Sequence, residues 1–532
     1  MTAPHTYITT TIPYVNARPH IGFALELVQA DVLARAGRGR GESVRFQTGT
    51  DDNSLKNVLA AQAAGVPVRD FVDRNADAFV ALAQSLSLTV DDVIRTSRDP
   101  RHRPGVERFW RACAQAGDLY RQRYEGLYCT GCEQFYQPAE LRGGRCPEHD
   151  TVPAPVSEEN WFFRLSRYAA PLREAITTGQ LRIEPAGRRH EVLAFLDSGL
   201  ADFSVSRPAA RAGGWGLPVP GDDSQVIYVW FDALCNYVTA LGYGAGSSAE
   251  YRRFWAGEGR RLHLLGKGVL RFHAVYWPAM LLSSGQPLPT DIYVHDYLTT
   301  DGRKISKSSG PAESDPAALA AAYGTDAVRW WLLREVPRVG DADFTVERLI
   351  ARADDELANG LGNLVNRVVA MIHRYRDGFA GPGGAGPGGA GPDGAGPGLA
   401  GGEDLDTACR QVGARVRAAL EDFDFRRATA AVTSIADEAN RLVNRVRPWE
   451  LAQAERDGGS LAVASGERLD AALRVLLEAC QVLGRELSPF LPDAAARITA
   501  QCAPGGDGRL PRPSPVFRRL ATGGARGRAP CR

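Results

Sequence analysis

The first hundred residues switch between two apolar patterns. TYITTTIPYV (residues 6–15) is a run of β-branched and aromatic residues and predicts a buried strand. FALELVQADVLARAGR (23–38) carries its apolar residues at helical spacing, and NARPHIG (16–22) between the two reads as a turn. SVRFQTGTDD (43–52) predicts a second strand ending in a polar turn, with helical stretches to about residue 97. Strand, glycine-bearing turn and helix in that order open a nucleotide-binding α/β unit.

Residues 120–225 break the rhythm with short aromatic-rich strands, many prolines and glycines, and a Cys/His cluster; they are expected to form an inserted subdomain. The α/β pattern resumes in VIYVWFDALCNYV (226–238), expected as a strand, then RLHLLGKGVLRFHAVYWPAMLL (261–282) and DIYVHDYLTT (291–300). The last is an apolar strand running into DGRKISKSSG (301–310). From about 350 the chain reads as helical. Residues 351–374 place Leu357, Leu361, Leu364, Val365, Val368 and Ile372 on one stripe. Residues 377–403 repeat Gly, Pro and Ala and offer no side chains for a core, so a flexible linker or surface loop is expected. Helices resume at 404–500, and the Gly/Pro/Arg-rich tail after about 503 is expected to be disordered.

This divides the chain into a catalytic half at 1–119, the insert at 120–225, a second catalytic half at 226–300, a connecting region at 301–350, a helical domain at 351–502 and a tail at 503–532. The fold class is therefore α/β, a Rossmann-like parallel-sheet domain with an insert, followed by a helical bundle. The 532 residues are 44% hydrophobic and 8% aromatic, enough for several cores. Net charge is +1, so overall charge identifies no nucleic-acid partner. No apolar run reaches the ~20 residues that span a bilayer, and no signal-peptide pattern is present, so a soluble cytoplasmic protein is expected.

The cations are unevenly chosen. Of 63 Lys plus Arg only four are lysine: Lys56, Lys267, Lys304 and Lys307. Where arginine replaces lysine wherever it can serve, the surviving lysines mark sites that need a compact ammonium. Lys304 and Lys307 share the stretch KISKS (304–308), two ammonium groups with hydroxyls on a loop, which suits a triphosphate and its pyrophosphate leaving group. About 280 residues earlier, PHIG (19–22) sets a histidine and a glycine at a helix N-terminus, where unpaired N–H groups attract phosphate. Nine cysteines without a secretion signal do not suggest a disulfide framework. Cys129-x-x-Cys132 with Cys146-x-x-His149 instead has the spacing of a closed, tetrahedral structural zinc site.

The PHIG and KISKS pair resembles the two signatures of class I aminoacyl-tRNA synthetases, usually written HIGH and KMSKS. TIPYVNARPHIG, LYCTGC, YVWFDALCNYV, FHAVYWPAML and DGRKISKS, in this order and spacing, resemble methionyl-tRNA synthetases from about residue 6 to 500. The resemblance implies ligation of methionine to tRNA(Met) through methionyl-adenylate, with ATP and Mg²⁺ as substrate. It makes His20, Lys304 and Lys307 catalytic, with Lys307 the main catalytic lysine. His20, Gly22, Phe23, Gly266, Gly268, Val294, Asp296 and Lys307 would surround ATP. Ile12, Tyr14, Trp230, Ala233, Leu234, Tyr237, Val269 and His273 would line the methionine site, with Asp51 on the α-amino group. An apolar, aromatic-walled slot suits a thioether. Asn363, Arg367 and Trp449 would read a CAU anticodon by stacking and hydrogen bonding, and Pro448 should break or kink a helix just before Trp449. The resemblance includes the zinc knuckle. No appended dimerisation domain is recognised after residue 500, so a monomer is expected.

Four departures fall on the ATP side. Phe23 stands for the second histidine of HIGH, Asp52-Asn53-Ser54 for Glu-His-Gly, Gly266-Lys267-Gly268 for Gly-Lys-Asp, and His295-Asp296 for His-Gly. Phe23 cannot donate to phosphate, and losing one such donor typically costs ~10²–10³ in rate. Asp296 is expected to bind the ribose hydroxyl that Gly268, having no carboxylate, cannot. Two other readings accommodate these changes: a paralogue serving a specialised pathway or resisting a synthetase inhibitor, and a tRNA-binding protein with little ligase activity.

Overall fold

A computed structural model describes residues 5–129, 134–136, 138–147, 150–246, 248–300, 302–305, 314–379 and 402–520. The chain divides into two compact units, Met1–Ala317 with Val339–Asp341, and Ala318–Arg338 with Ala342–Arg532.

The first unit is built on a six-stranded, all-parallel sheet. Its strands are β1 (His5–Thr10), β2 (Ser43–Thr50), β3 (Asp92–Arg95), β4 (Arg182–Glu184), β5 (Arg260–Gly266) and β6 (Asp291–His295). The spatial order is β3-β2-β1-β5-β6-β4. β6 is buried throughout, β1 is buried from Thr6 to Thr10 and β5 from Leu262 to Leu265, as a parallel sheet covered on both faces requires. The chain leaves β1 towards β2 on one side and β5 lies on the other, so the order reverses beside β1. In open α/β sheets ligands bind at the carboxyl ends of the strands at such a point. Helix α1 (Ile21–Gly39) starts there, followed along the chain by α2 (Leu55–Ala63), α3 (His102–Gln115) and α4 (Val229–Leu234).

Two expectations change. Residues 226–238 are not one strand: the strand ends at Ile227 and α4 begins at Val229. Residues 231–240 are buried throughout, so the segment shows no polar face from which a period could be read. Within the stretch expected as an insert, β4 returns to the main sheet, with Arg182 opposite Asp291. Three residues are too few to show an alternation. The rest of the stretch carries antiparallel ribbons, chiefly Leu119–Cys129 against Ala154–Phe163.

The second unit is helical. Its main helices are α5 (Asn363–Arg376), α6 (Glu403–Glu421), α7 (Phe425–Val446), α8 (Pro448–Asp457), α9 (Ala462–Leu487) and α10 (Pro492–Gln501). α9 packs on α7, α8 and α10, and α6 packs on α7. All six residues of the expected stripe are buried. The helical path into α5 starts already at Val346 and passes through wide π-type turns over Ala353–Gly362. Arg329 is fully buried and donates to the carbonyls of Phe490 (2.8 Å) and Pro489 (3.1 Å), tying the helix Thr325–Arg334 to the chain after α9. Residues 503–520, expected to be disordered, are placed. Leu510 and Val516 are buried, and the Leu510 N–H donates to the Gly378 carbonyl at 2.9 Å. Two apolar anchors in a tail otherwise rich in Gly, Pro and Arg explain the difference. Most of 377–403 lies outside the described residues. No helix among the described residues is long and apolar enough to cross a membrane.

Candidate active site

His20 is the N-cap of α1. Its Nδ1 accepts the Gly22 N–H at 3.1 Å, so the ring proton of the neutral form sits on Nε2. A Cβ on Gly22 would lie 2.9 Å from His20 Cε1, so the cap geometry requires glycine there. Phe23, one residue on, is buried. It is 8% exposed and meets Phe79 edge-on at 5.4 Å. The phenyl ring thus makes a core contact where the usual histidine would offer a hydrogen-bond donor.

Asp51 follows β2 and is 2% exposed; it bridges to Tyr14, with its N–H on the Pro13 carbonyl at 3.0 Å. Beside it stands an aromatic wall. Tyr14 meets Trp230 edge-on at 6.3 Å, and Trp230 lies flat on Phe272 at 3.7 Å and 5°. Lys56 Nζ sits 5.1 Å from the centre of the Tyr14 ring. Ala233, Leu234 and Tyr237 are buried behind Trp230, and Ile12 and Val269 are half-buried.

His273 donates Nδ1–H to the Val269 carbonyl (2.9 Å), which leaves Nε2 to accept the Tyr237 hydroxyl at 2.7 Å. Burial pushes its pKa down to about 4, against weaker upward pulls from the Val269 bond and Glu26. The imidazole is therefore neutral at pH 7, as an apolar slot needs. Burial likewise pushes the Tyr237 phenol well up, so it keeps its proton.

On the ATP side, Val294 is buried in β6 opposite Leu265, and Gly266 pairs with His295. Asp296 is engaged by partners within the protein. One carboxylate oxygen is bonded by Arg188 and lies 3.6 Å from Lys267 Nζ; the other accepts the Gly340 N–H at 2.7 Å. At 5% exposure such a carboxylate is an anchor for its three partners. Lys267 also pairs with Asp341 at 2.6 Å and stands over Tyr297 at 4.6 Å. The missing carboxylate at Gly268 has a local cause: a Cβ there would lie 2.1 Å from the Tyr297 hydroxyl.

Lys304 lies on a short strand opposite Thr299, reached through a turn at Gly302 with φ +70°. Lys307 lies outside the described residues. Arg18, two residues before His20, pairs with Asp315 at 3.1 Å.

Of the four residues expected to hold zinc, Cys129 and Cys146 are both 1% exposed and pack in one small group with Tyr136; Cys132 and His149 lie outside the described residues. In the second unit, α7 ends at Val446, Arg447 adopts φ +53°, and Pro448 starts α8, the break expected there. Trp449 is 38% exposed, and the Arg367 guanidinium lies 5.7 Å from its ring centre. Asn363, one turn before Arg367, is exposed.

The profile of tRNA synthetases class I (M) matches residues 6–154 and 136–369. The methionine–tRNA ligase of Brucella suis is 36% identical over 532 residues, covering 96% of this chain and 97% of that one. That of Mycobacterium tuberculosis is 37% identical, covering 92% and 91%. The chain belongs to the methionine–tRNA ligase family of class I synthetases. Among solved structures it is similar to M. tuberculosis methionyl-tRNA synthetase in complex with methionyl-adenylate, with a TM-score of 0.87 and 34% identity over 97% of this chain and 99% of that one.

Within this family frame, sequence reasoning missed Phe272, Glu26 and the pair His102–Asp232. Glu26 accepts from the Thr11 N–H (2.5 Å) and hydroxyl (2.7 Å) and from His295 at 3.1 Å, joining α1, the loop after β1 and β6. An acid inside the apolar run FALELV was the signal available for it.

Proposed function

We propose that this protein is a methionine–tRNA ligase acting in two steps. A carboxylate oxygen of methionine attacks the α-phosphorus of ATP. A phosphoanhydride bond breaks and pyrophosphate leaves, giving methionyl-adenylate. The terminal ribose hydroxyl of tRNA then attacks the methionyl carbonyl, its proton is lost, and AMP departs. Little acid–base chemistry is needed, so positioning and electrostatics carry most of the rate.

The observation that carries this reading is the shared mouth at the switch point. A buried carboxylate, Asp51, stands beside a Tyr14–Trp230–His273 wall, and the His20-capped end of α1 opens from the neighbouring strand. Asp51 takes the ammonium, the wall with Ile12, Ala233, Leu234, Tyr237 and Val269 takes the thioether, and His20 Nε2–H faces phosphate. Gly22, Gly266, Gly268 and Val294 line the nucleotide, and Lys304 and Lys307 hold the phosphates with Mg²⁺. Phe23 and Asp296 serve by packing and anchoring.

Cys129, Cys132, Cys146 and His149 would hold one structural zinc. The convergence of Cys129 and Cys146 in a single buried group supports this, and a closed thiolate–imidazole set would order the insert without taking part in the reaction. Asn363, Arg367 and Trp449 read the CAU anticodon of tRNA(Met). As a translation enzyme the protein works in the cytoplasm, as a monomer.

The test is methionylation of a CAU-bearing tRNA transcript against the same transcript with another anticodon. Charging that follows the CAU sequence is expected. Failure to charge, or equal charging of both, contradicts the proposal.

A further inference from the structure

A hydrogen-bonded row lies behind the Asp51 loop. The Asn53 side chain donates to Asp232 Oδ2 at 2.7 Å. His102 Nε2–H donates to the other oxygen of the same carboxylate, also at 2.7 Å, and has the Thr239 hydroxyl 2.8 Å from Nδ1. The His102 and Asp232 side chains are 0% and 1% exposed. A carboxylate this deep is tolerated only with its lone pairs occupied, so Asn53 and His102 are both needed to hold it.

Asn53 faces two ways. While its amide is bound to Asp232, its backbone N–H lies on Asp51 Oδ1 at 3.3 Å. Asp232 sits in α4 between Trp230 and the pair Ala233 and Leu234. Asn53 thus links the carboxylate expected to take the ammonium with the helix expected to wall the thioether. Other bonds fix the loop elsewhere. Asn57 donates to the Asp51 and Asp52 carbonyls (3.0 and 2.9 Å), and Trp215 donates to the Asp52 carbonyl at 2.8 Å. Those partners lie on α2 and in the inserted stretch, and the Asp51 backbone is tied to the Pro13–Tyr14 segment; Asn53 is what connects the Asp51 side chain with α4.

We propose that Asn53, braced by the buried Asp232–His102 pair, is a positioning residue that holds the Asp51 carboxylate in register with α4 and so sets recognition of the amino-acid substrate's ammonium. The inference rests on the functional reading above.

The test is steady-state methionine-dependent ATP–pyrophosphate exchange on the full-length protein. Asn53→Ala should raise the KM for methionine about tenfold or more, the loss of one hydrogen bond to a charged group. The KM for ATP should stay unchanged, as should inhibition by the desamino analogue 4-(methylsulfanyl)butanoate, which has no ammonium for Asp51. Asn53→His, which keeps an N–H donor, should restore the wild-type KM. Asn53→Asp keeps the shape and sets two carboxylates together; it should fail in the same direction as Asn53→Ala, and it serves if the alanine variant does not fold. An unchanged methionine KM overturns the proposal. So does a parallel rise in both KM values with weakened binding of the desamino analogue, which is the mark of a general loss of structure. Absence of exchange in the wild-type protein instead overturns the functional reading, and the inference falls with it.

Discussion

His273 and His263 lie in a buried row of rings whose hydrogen bonds leave no room for a second proton. Trp277 donates to His263 Nε2 at 3.2 Å, and His263 Nδ1–H is left for Thr9 at 2.5 Å. Burial pushes the His263 pKa well below its usual value, as it pushes His273 down to about 4. An unfolded histidine titrates near 6.5. Below that pH the unfolded chain binds protons that the folded chain excludes. Their contribution is therefore complete above about pH 6.5 and is lost as pH falls below it, for His273 down to about 4, at up to about 1.4 kcal/mol per pH unit for each ring. Urea unfolding at pH 7 and pH 5 should show this loss, with a shallower dependence in His273→Gln; equal slopes in the two proteins would count against it. Gly268 makes a second residue-scale case. Gly268→Ala drives a methyl into the Tyr297 hydroxyl and should cost roughly 1–3 kcal/mol as overpacking. Tyr297→Phe in the same chain removes the obstructing atom and should recover most of the loss in melting temperature. If Gly268→Ala melts like the wild type, the steric account is wrong. Neither case is legible in the sequence. There Gly268 stands only as a missing carboxylate, and it takes the fold to bring Tyr297 across to fill its place.

At the scale of elements, what can be read depends on whether a segment has two distinguishable faces. The helix through 351–374 is visible because its six apolar residues leave a polar side bare. The break at Pro448 is visible because proline cannot continue a helix. Residues 226–238 mislead because β-branched and aromatic residues buried on every side fit a strand or a helix equally well. The α7–α8 break leaves Trp449, proposed to read the anticodon, partly exposed beside Arg367. A flat ring backed by a guanidinium is a platform for an unpaired base, and such stacking is worth ~1–3 kcal/mol per base. Trp449→Ala should therefore lower kcat/KM for tRNA charging by about 10- to 100-fold. Methionine-dependent pyrophosphate exchange, which needs no tRNA, should be unaffected. A variant that charges tRNA normally would remove Trp449 from recognition.

For the whole molecule, the order and spacing of short motifs carry more than composition does. A net charge of +1 and ordinary hydrophobic content fit many proteins, whereas PHIG and KISKS about 280 residues apart fit few. The sheet order explains why such distant segments belong together: β1 and β6 stand on either side of β5, and each leads into one of the two motifs. The Arg18–Asp315 pair at 3.1 Å ties the segment before His20 to the start of the helix at Pro316, although an exposed pair of this kind contributes little to stability. Which departures at the ATP side alter the mouth depends on where each side chain turns, and a sequence does not carry that. Phe23 packs in the core and Asp296 is held by its partners within the protein, while His20 caps α1 and Asp51 is buried after β2. Methionine-dependent exchange of pyrophosphate into ATP tests the resulting claim most directly. Exchange should occur with methionine and not with leucine, isoleucine or cysteine, and should fall by about 10²–10³-fold or more in Lys307→Ala. No exchange with any amino acid, or exchange that Lys307→Ala leaves intact, would contradict it.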